Sequence, residues 1–495
     1  MIEAAAPPLS APTPRPPLWR DAAILLAVAL VLRCAAFGDP NIDPDETFYW
    51  LVAQRMHEGL VPYVDVWDRK PLGLFLLYWA ISALWANVLA YQLAATAFAA
   101  ATATVITRLA RRWIAGLAPL LAGAAYLAML HPLIGMGGQS PVFYNLLIVG
   151  AAALLVEGWT GPAQALERRW VAAMVLCGLA LTIKQTTVWE GAFFGLAGLW
   201  RLRALGRGPA RLAVLALAGA GLAVLPTAAI AAWYWAHGYW PEWWNAFFTS
   251  NLKRTGVGEL AVKHNLYAIL RLMAVHAGIA ALGLARAWSM PSLRPWRGLL
   301  VGWLAAAVAG FFVLPNYFAH YALPLLAPLG LFTAFAFARR PLGPVLFAAT
   351  FAIAVIFGRP FDFAHHRQSK AAFARMTAEI ERWRDGRALL IFHGGPLLFE
   401  AAHAPFATPL VFPEHLLNPL ERNVSHIDTR AEVLRVLATR PGVIIMPNTV
   451  GVRGDDGLLD IVDAYLAANC TRAYVGPDYE PRGVVRTDFL YACRR

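Results

Sequence analysis

The apolar run Ala22-Ala23-Ile24-Leu25-Leu26-Ala27-Val28-Ala29-Leu30-Val31-Leu32, followed after a short break by Asp43-Pro44-Asp45-Glu46-Thr47-Phe48-Tyr49, decides the fold. It is the first of a series. Further apolar runs begin near residues 88, 113, 141, 170, 187, 211, 265, 298, 321 and 342, giving about eleven segments long enough to cross roughly 30 Å of hydrocarbon. With 59% hydrophobic and 15% charged residues among 495, the chain has too much apolar surface to hide inside a water-soluble globule. The bilayer is its main solvent. The stretch Met1 to Pro17, rich in Pro and Ala, leads into the first run without a clear cleavage site, so that run is expected to remain as a span.

The net charge of +12 would suggest nucleic acid in a soluble protein. Here the basic residues fall in short clusters between apolar runs, which is how topology is encoded. If the N-terminus, with Arg15 and Arg20, is cytoplasmic, the clusters Arg108/Arg111/Arg112, Arg168/Arg169, Arg201/Arg203/Arg207/Arg211, Arg286/Arg294/Arg297 and Arg339/Arg340 all fall on the inner side. All five lysines, Lys70, Lys184, Lys253, Lys263 and Lys370, then fall on the outer side, against the rule. They are candidates for binding an anion.

The scheme requires that Pro71 to Trp85 lies at the interface and does not cross. An odd number of spans then puts everything after about Gly358 outside. That tail regains charge and mixes short β-type runs such as Ala388–Phe392 and Gly442–Met446 with helical ones. The expected architecture is mainly α: a polytopic helical bundle over residues 1–358, with a first outer loop over 39–87, and a small α/β domain over 359–495. Cys34 and Cys177 fall in apolar spans, whereas Cys470 and Cys493 share the outer tail and are candidates to pair.

Two charged patches bound the first outer loop. Asp43, Asp45 and Glu46 follow the first span, and Asp65-Val66-Trp67-Asp68-Arg69-Lys70-Pro71 returns mixed charge to the same face. A carboxylate beside a cation at a dry interface suits transfer from an anionic donor, offering a base for a hydroxyl and positive charge for a departing phosphate. Arg33 and Arg271 lie inside apolar runs near their outer ends, where an arginine either snorkels or marks function.

The pair Asp45-Glu46 followed by Thr47-Phe48-Tyr49, and Arg69-Lys70-Pro71-Leu72 about twenty residues on, resembles the first periplasmic loop of GT-C glycosyltransferases. The nearest branch is the bacterial one related to protein O-mannosyltransferases and lipid A aminoarabinose transferases. Further matches are Gly178 to Lys184-Gln185, the aromatic segment Trp235 to Asn251 with Lys253 and Arg254 after it, Asn316-Tyr317-Phe318-Ala319-His320-Tyr321, and Pro409 to Leu416 in the tail.

The resemblance implies an inverting transferase in the bacterial inner membrane, working at the periplasmic face. It moves a sugar from a polyprenyl-phosphate carrier to a hydroxyl of a lipid, glycan or protein. Asp45 would be the base and Lys70, with Lys184 and Arg271, would hold the donor phosphate. Asp43, Glu46, Tyr49, Asp68, Arg69, His320 and Tyr321 would support them. Relatives carry a glutamate that holds a metal where this chain has Arg69, and an acid where it has Gly137-Gly138-Gln139-Ser140. No cofactor is therefore assigned, the case for a divalent metal at that position being weakened by Arg69, and no nucleic acid partner is expected. A transporter or flippase of lipid-linked sugars is the rival. It predicts internal repeats and midplane charges, and the sequence displays neither.

Overall fold

The computed structural model describes residues 16–253, 258–313, 316–448 and 457–495. Arg15 and Arg254 lie outside the described residues. Every apolar run forms a helix: α1 (Leu18–Arg33), then Val88–Ala110, Ala118–Met129, Ser140–Gly158, Ala163–Ile183, Val188–Ala204, Pro209–Ala236, Glu259–Ser289, Arg297–Phe312, Leu326–Phe337 and Leu342–Gly358. Among the described residues, seven helical segments are long and apolar enough to cross a membrane. The chain is a multi-pass membrane protein.

Its packing fits that solvent. Leu217, Val224 and Leu225 point outward from Pro209–Ala236, as residues facing lipid do, while small residues let helix backbones approach inside the bundle. A Cβ on Gly178 would lie 2.8 Å from backbone carbonyls of Leu222 and Ala223, and one on Gly219 would collide with the buried Trp170 ring. Glycine at these crossings sets the helix spacing.

Two helices belong to the loop over residues 39–87. α2 (Pro44–His57) starts as its sequence dictates: Asp43 caps it by accepting the Asp45 N–H, proline occupies the first position, and Asp45 and Glu46 lie in the first turn where the helix dipole favours negative charge. α3 (Leu72–Leu84) has 13 residues, about 20 Å at 1.5 Å per residue, short of the hydrocarbon thickness.

After Gly358 a helix, Phe363–Arg384, leads to strands β1 (Leu389–Ile391), β2 (Val443–Pro447), β3 (Cys470–Glu480) and β4 (Val484–Cys493), in the spatial order β1-β2-β4-β3. β2 runs parallel to β1, with Ile444 opposite Leu390, and antiparallel to β4, with Ile445 opposite Leu490. Flanked on both sides, β2 is buried along its whole length, which explains its unbroken apolar run Val443-Ile444-Ile445-Met446. A disulfide joins Cys470 to Cys493 across the β3–β4 pair. One face of this sheet carries a core of Leu390, Phe392, Leu416, Val433, Val436, Ile444 and Val462, and the first outer loop contributes Trp67 to the same core. The loop and the tail are packed as one unit.

Candidate active site

The loop, the bundle and the tail enclose a cavity of about 670 Å³. Asp43, Asp45, Asp68, Arg69 and Lys70 line it from the first loop, Lys184, His320 and Tyr321 from the bundle, and His393, Glu414, Glu421, Glu480 and Arg486 from the tail. Its floor continues toward Glu190 and Tyr144 through a small recess that Lys184 and Tyr321 also line.

The centre of the loop wall is an ion pair. Lys70 Nζ lies 3.1 Å from Asp45 Oδ1 and 3.6 Å from Asp68 Oδ2, and its backbone N–H donates to Asp68 Oδ1 at 2.8 Å. The Tyr49 ring sits 5.0 Å from the ammonium and the Phe412 ring 5.6 Å from it, so Lys70 is held among carboxylates and aromatic faces. Tyr63 fixes the backbone here by donating its hydroxyl to the Lys70 carbonyl at 2.7 Å.

Behind Asp45 stands the turn from Gly135 to Gln139. Arg33, 1% exposed, donates to the carbonyls of Gly135 and Gly137 at 2.7 and 3.2 Å and holds that turn in place. It does not snorkel. Buried carbonyls take its donors, which corrects one of the two readings the sequence allowed. The turn in turn presents Gln139, whose Nε2 donates to Asp43 Oδ1 at 2.9 Å and Asp45 Oδ2 at 3.3 Å, while its backbone N–H donates to Glu46 Oε1 at 3.1 Å. Side chains at Gly137 and Gly138 would strike the Glu46 carboxylate and the Tyr78 hydroxyl. The two glycines therefore give the turn its close seat on α2.

Three carboxyls thus crowd one helical turn, and their surroundings separate them. Burial pushes Glu46 up to about 8, and burial together with the charges of Glu46 and Asp45 pushes Asp43 well above the usual range. Burial acts in the same sense on Asp45, but Lys70 and His320 outweigh it and hold that carboxyl well below the ordinary carboxylate value. The surroundings thus favour the ionised form at Asp45 and disfavour it at Asp43 and Glu46. Adjacent acids set apart in this way can take different chemical roles.

The remaining expected residues are placed as follows. Lys184 lies 5.6 Å from the Tyr321 ring, with His320 edge-on to the same ring at 4.7 Å. Arg69 turns from the cavity centre to form a two-pronged pair with Glu421, its Nη2 donating to Oε1 at 2.8 Å. Glu46 and Tyr49 stand behind the wall. Arg271 does not join the group: it is exposed on Glu259–Ser289 beside Tyr267, whereas Ala268, Ile269 and Leu272 of that helix line the cavity. Of the other lysines, Lys263 pairs with Glu259 on its own helix and Lys370 donates to the Phe37 carbonyl.

The wall supplied by the tail escaped the sequence reading. Glu414 and His415 were visible only as part of a loose motif, and Glu421, His393, Glu480 and Arg486 gave no signal, because each sits alone in its own stretch of chain. Gln139 stands in a segment that departs from relatives, but its bridge between two aspartates is a fact of geometry.

No family model matches the chain, and no curated protein matches it. Among solved structures it is similar to ArnT from Cupriavidus metallidurans bound to undecaprenyl phosphate, with a TM-score of 0.64 at 15% identity over 94% of this chain and 97% of that one. It is also similar to the same protein in the apo state, with a TM-score of 0.59 at 16% identity over the same shares. Helices, loop and tail all take part in the match, and the fold of the chain is therefore that of ArnT, the GT-C fold.

Proposed function

We propose that this chain transfers a sugar from a polyprenyl-phosphate donor to a hydroxyl of a lipid, glycan or protein, with inversion, at the periplasmic face of a bacterial inner membrane. The observation that carries the reading is the Asp45–Lys70 pair, 3.1 Å apart, on the wall of a cavity enclosed by a membrane bundle. The solved neighbour with the same fold binds undecaprenyl phosphate. The orientation follows the arginine bias: residues 39–87 and 359–495 form the outer loop and outer domain, and residues 1–358 carry the bundle.

In this reading the carrier tail lies among the spans and its phosphate reaches Lys70 and Lys184. Binding that phosphate draws the Lys70 ammonium partly away from Asp45, whose basicity then rises toward that of an ordinary carboxylate. The base is thus restrained until the donor arrives. Asp45 takes the proton of the acceptor hydroxyl, the oxygen forms a bond to the anomeric carbon from the opposite side, and the bond to the phosphate oxygen breaks. Polyprenyl phosphate leaves as an anion next to two lysines, so no general acid is required. Arg271, exposed on the outer side of its helix, has no part in the scheme.

Membranes containing the full chain, supplied with radiolabelled polyprenyl-phosphate pentose or hexose, should move label into a lipid, glycan or protein fraction. Asp45→Asn should reach normal abundance and lose ~10²-fold or more of that transfer, the scale of a missing general base. Movement of lipid-linked sugar across the membrane without any transfer would replace this reading with a transporter.

A further inference from the structure

A second polar cluster lies where the strand ends of the tail converge on the cavity. His393 follows β1, Asp478 and Glu480 end β3, and Asp488 sits on β4. His393 Nε2 is 3.9 Å from Glu480 Oε1 and its Nδ1 is 3.8 Å from Asp478 Oδ2; one ligand atom from each of the three lies within 4.8 Å of the others. Donors bonded to one cation at 2.0–2.2 Å stand about 3–4 Å apart. The two carboxylates approach different ring nitrogens, so Asp478 must swing toward Nε2 for the three donors to reach that spacing around one cation.

Three further observations point to a ligand. The His393 ring is oriented from behind, its Nδ1 lying 2.6 Å from Asp488 Oδ1, so that Nε2 is turned to Glu480. A carboxylate that fixes one imidazole nitrogen while the other is left to a ligand is the usual support of a metal-binding histidine; here Nε2 faces Glu480, and Asp478 approaches from the Nδ1 side. The cluster also borders a separate small cavity of about 60 Å³, lined by His393, Asp478, Glu480 and Glu414, where about 10–15 Å³ of such space suffices for one water. Gly394, at φ +110°, lets the turn pass close to the cluster: a Cβ there would stand 3.0 Å from Asp488 Oδ2. Charge agrees as well. Asp478, Glu480 and Asp488 outnumber the one guanidinium at the cluster, Arg486, which pairs with Glu480 at 2.6 Å.

We infer that His393, Asp478 and Glu480 form a binding site for a divalent transition-metal cation such as Zn²⁺ or Mn²⁺, positioned by Asp488. One imidazole and two carboxylates suit these ions better than Mg²⁺, which prefers an all-oxygen shell. His393 and Glu480 line the main cavity too. The cation's remaining positions therefore face it, open to an oxygen ligand of a bound molecule. This site is separate from Arg69, where the resemblance would have looked for a metal.

The test is direct binding to the purified full chain in detergent, stripped with a chelator and containing neither donor nor acceptor. Titration calorimetry with Zn²⁺ and spectroscopic counting of bound Mn²⁺ should find a single saturable site. Glu480→Gln and His393→Ala should each weaken binding by about a hundredfold or more, and Asp488→Asn by roughly ten- to a hundredfold. The thermal transitions of the variants are compared in parallel. Should His393→Ala fail to fold, Glu480→Gln decides the matter, because it keeps the side-chain shape at a partly exposed position. Absence of binding by the wild type at millimolar metal, or unchanged affinity in Glu480→Gln, would show that the cluster is a histidine-centred ion-pair network and nothing more.

Discussion

On one wall of the cavity Asp43, Asp45, Asp68 and Lys70 come from a single stretch of the first loop; on the other, His393, Glu414, Glu421, Glu480 and Arg486 come from segments scattered through the last hundred or so residues. The first wall is built mostly within its own stretch, by the Asp43 helix cap and the pairs of Lys70 with Asp45 and Asp68, with Gln139 bracing it from another part of the chain. The second exists only because a sheet brings distant segments together. Where function is written in contiguous chain it survives as a motif, and where it depends on the register of strands it has no motif to leave.

If the two walls are one packed unit, the largest effect should come from the residue that joins them. Trp67, fully buried in the tail's core, donates its indole N–H to Asn245 at 3.3 Å and meets the His415 ring at 4.6 Å. Trp67→Ala should cost about 3–5 kcal/mol of stability, read as a lower unfolding temperature in detergent with loss of near-UV signal from the tail. Independent walls would leave the transition unchanged.

The next effect belongs to the local wall. Lys70→Ala removes a charge-assisted contact to phosphate worth about 1.5–3 kcal/mol, so donor affinity should fall about ten- to a hundredfold. The same change frees Asp45 from the cation that depresses its pKa, so the acid limb of the pH–rate profile should move upward. Normal donor affinity with an unmoved acid limb would take Lys70 out of the site.

Glu46 gives a smaller and pH-dependent effect. Burial raises its pKa from 4.5 to about 8, so the folded chain binds a proton that the unfolded chain has released in that interval. Its contribution to stability is fully present below about pH 4.5 and is lost as pH rises through 8. Glu46→Gln, which mimics the protonated acid, should flatten the fall in stability across that window and change transfer only mildly. The smallest effect is expected at Arg271: Arg271→Ala should leave donor affinity and rate unaltered, and a clear drop in either would return it to the site.

Much of the fold was legible because a bilayer imposes a coarse and demanding code. A helix must be apolar over its whole length, and arginines must mark its inner end, so each run could be read without knowing its neighbours. The Asp43–Glu46 turn was legible for a similar reason, since the cap, the proline and the acids that start α2 are consecutive. Arg33 was ambiguous because sequence gives the depth of a charge but not its partners, and Gly135 and Gly137 are about a hundred residues away. Arg271 shows that sequence does not give azimuth: its helix passes the cavity, but that side chain does not line it. Arg69 and Glu421 form a pair that no local pattern announces.

The seating of Trp67 also fixes an order of events during synthesis. The ribosome makes this loop early, yet the apolar core that its indole joins includes Ile444, Val462 and Cys493 and is not complete until β4 has been made. Until then the loop waits at the membrane surface with a bare tryptophan and an unroofed group of carboxylates. A chain cut short before β4 would keep its spans and its Asp45, but its tryptophan would stay exposed. Completion of the last strand is thus what distinguishes an inserted chain from an assembled one.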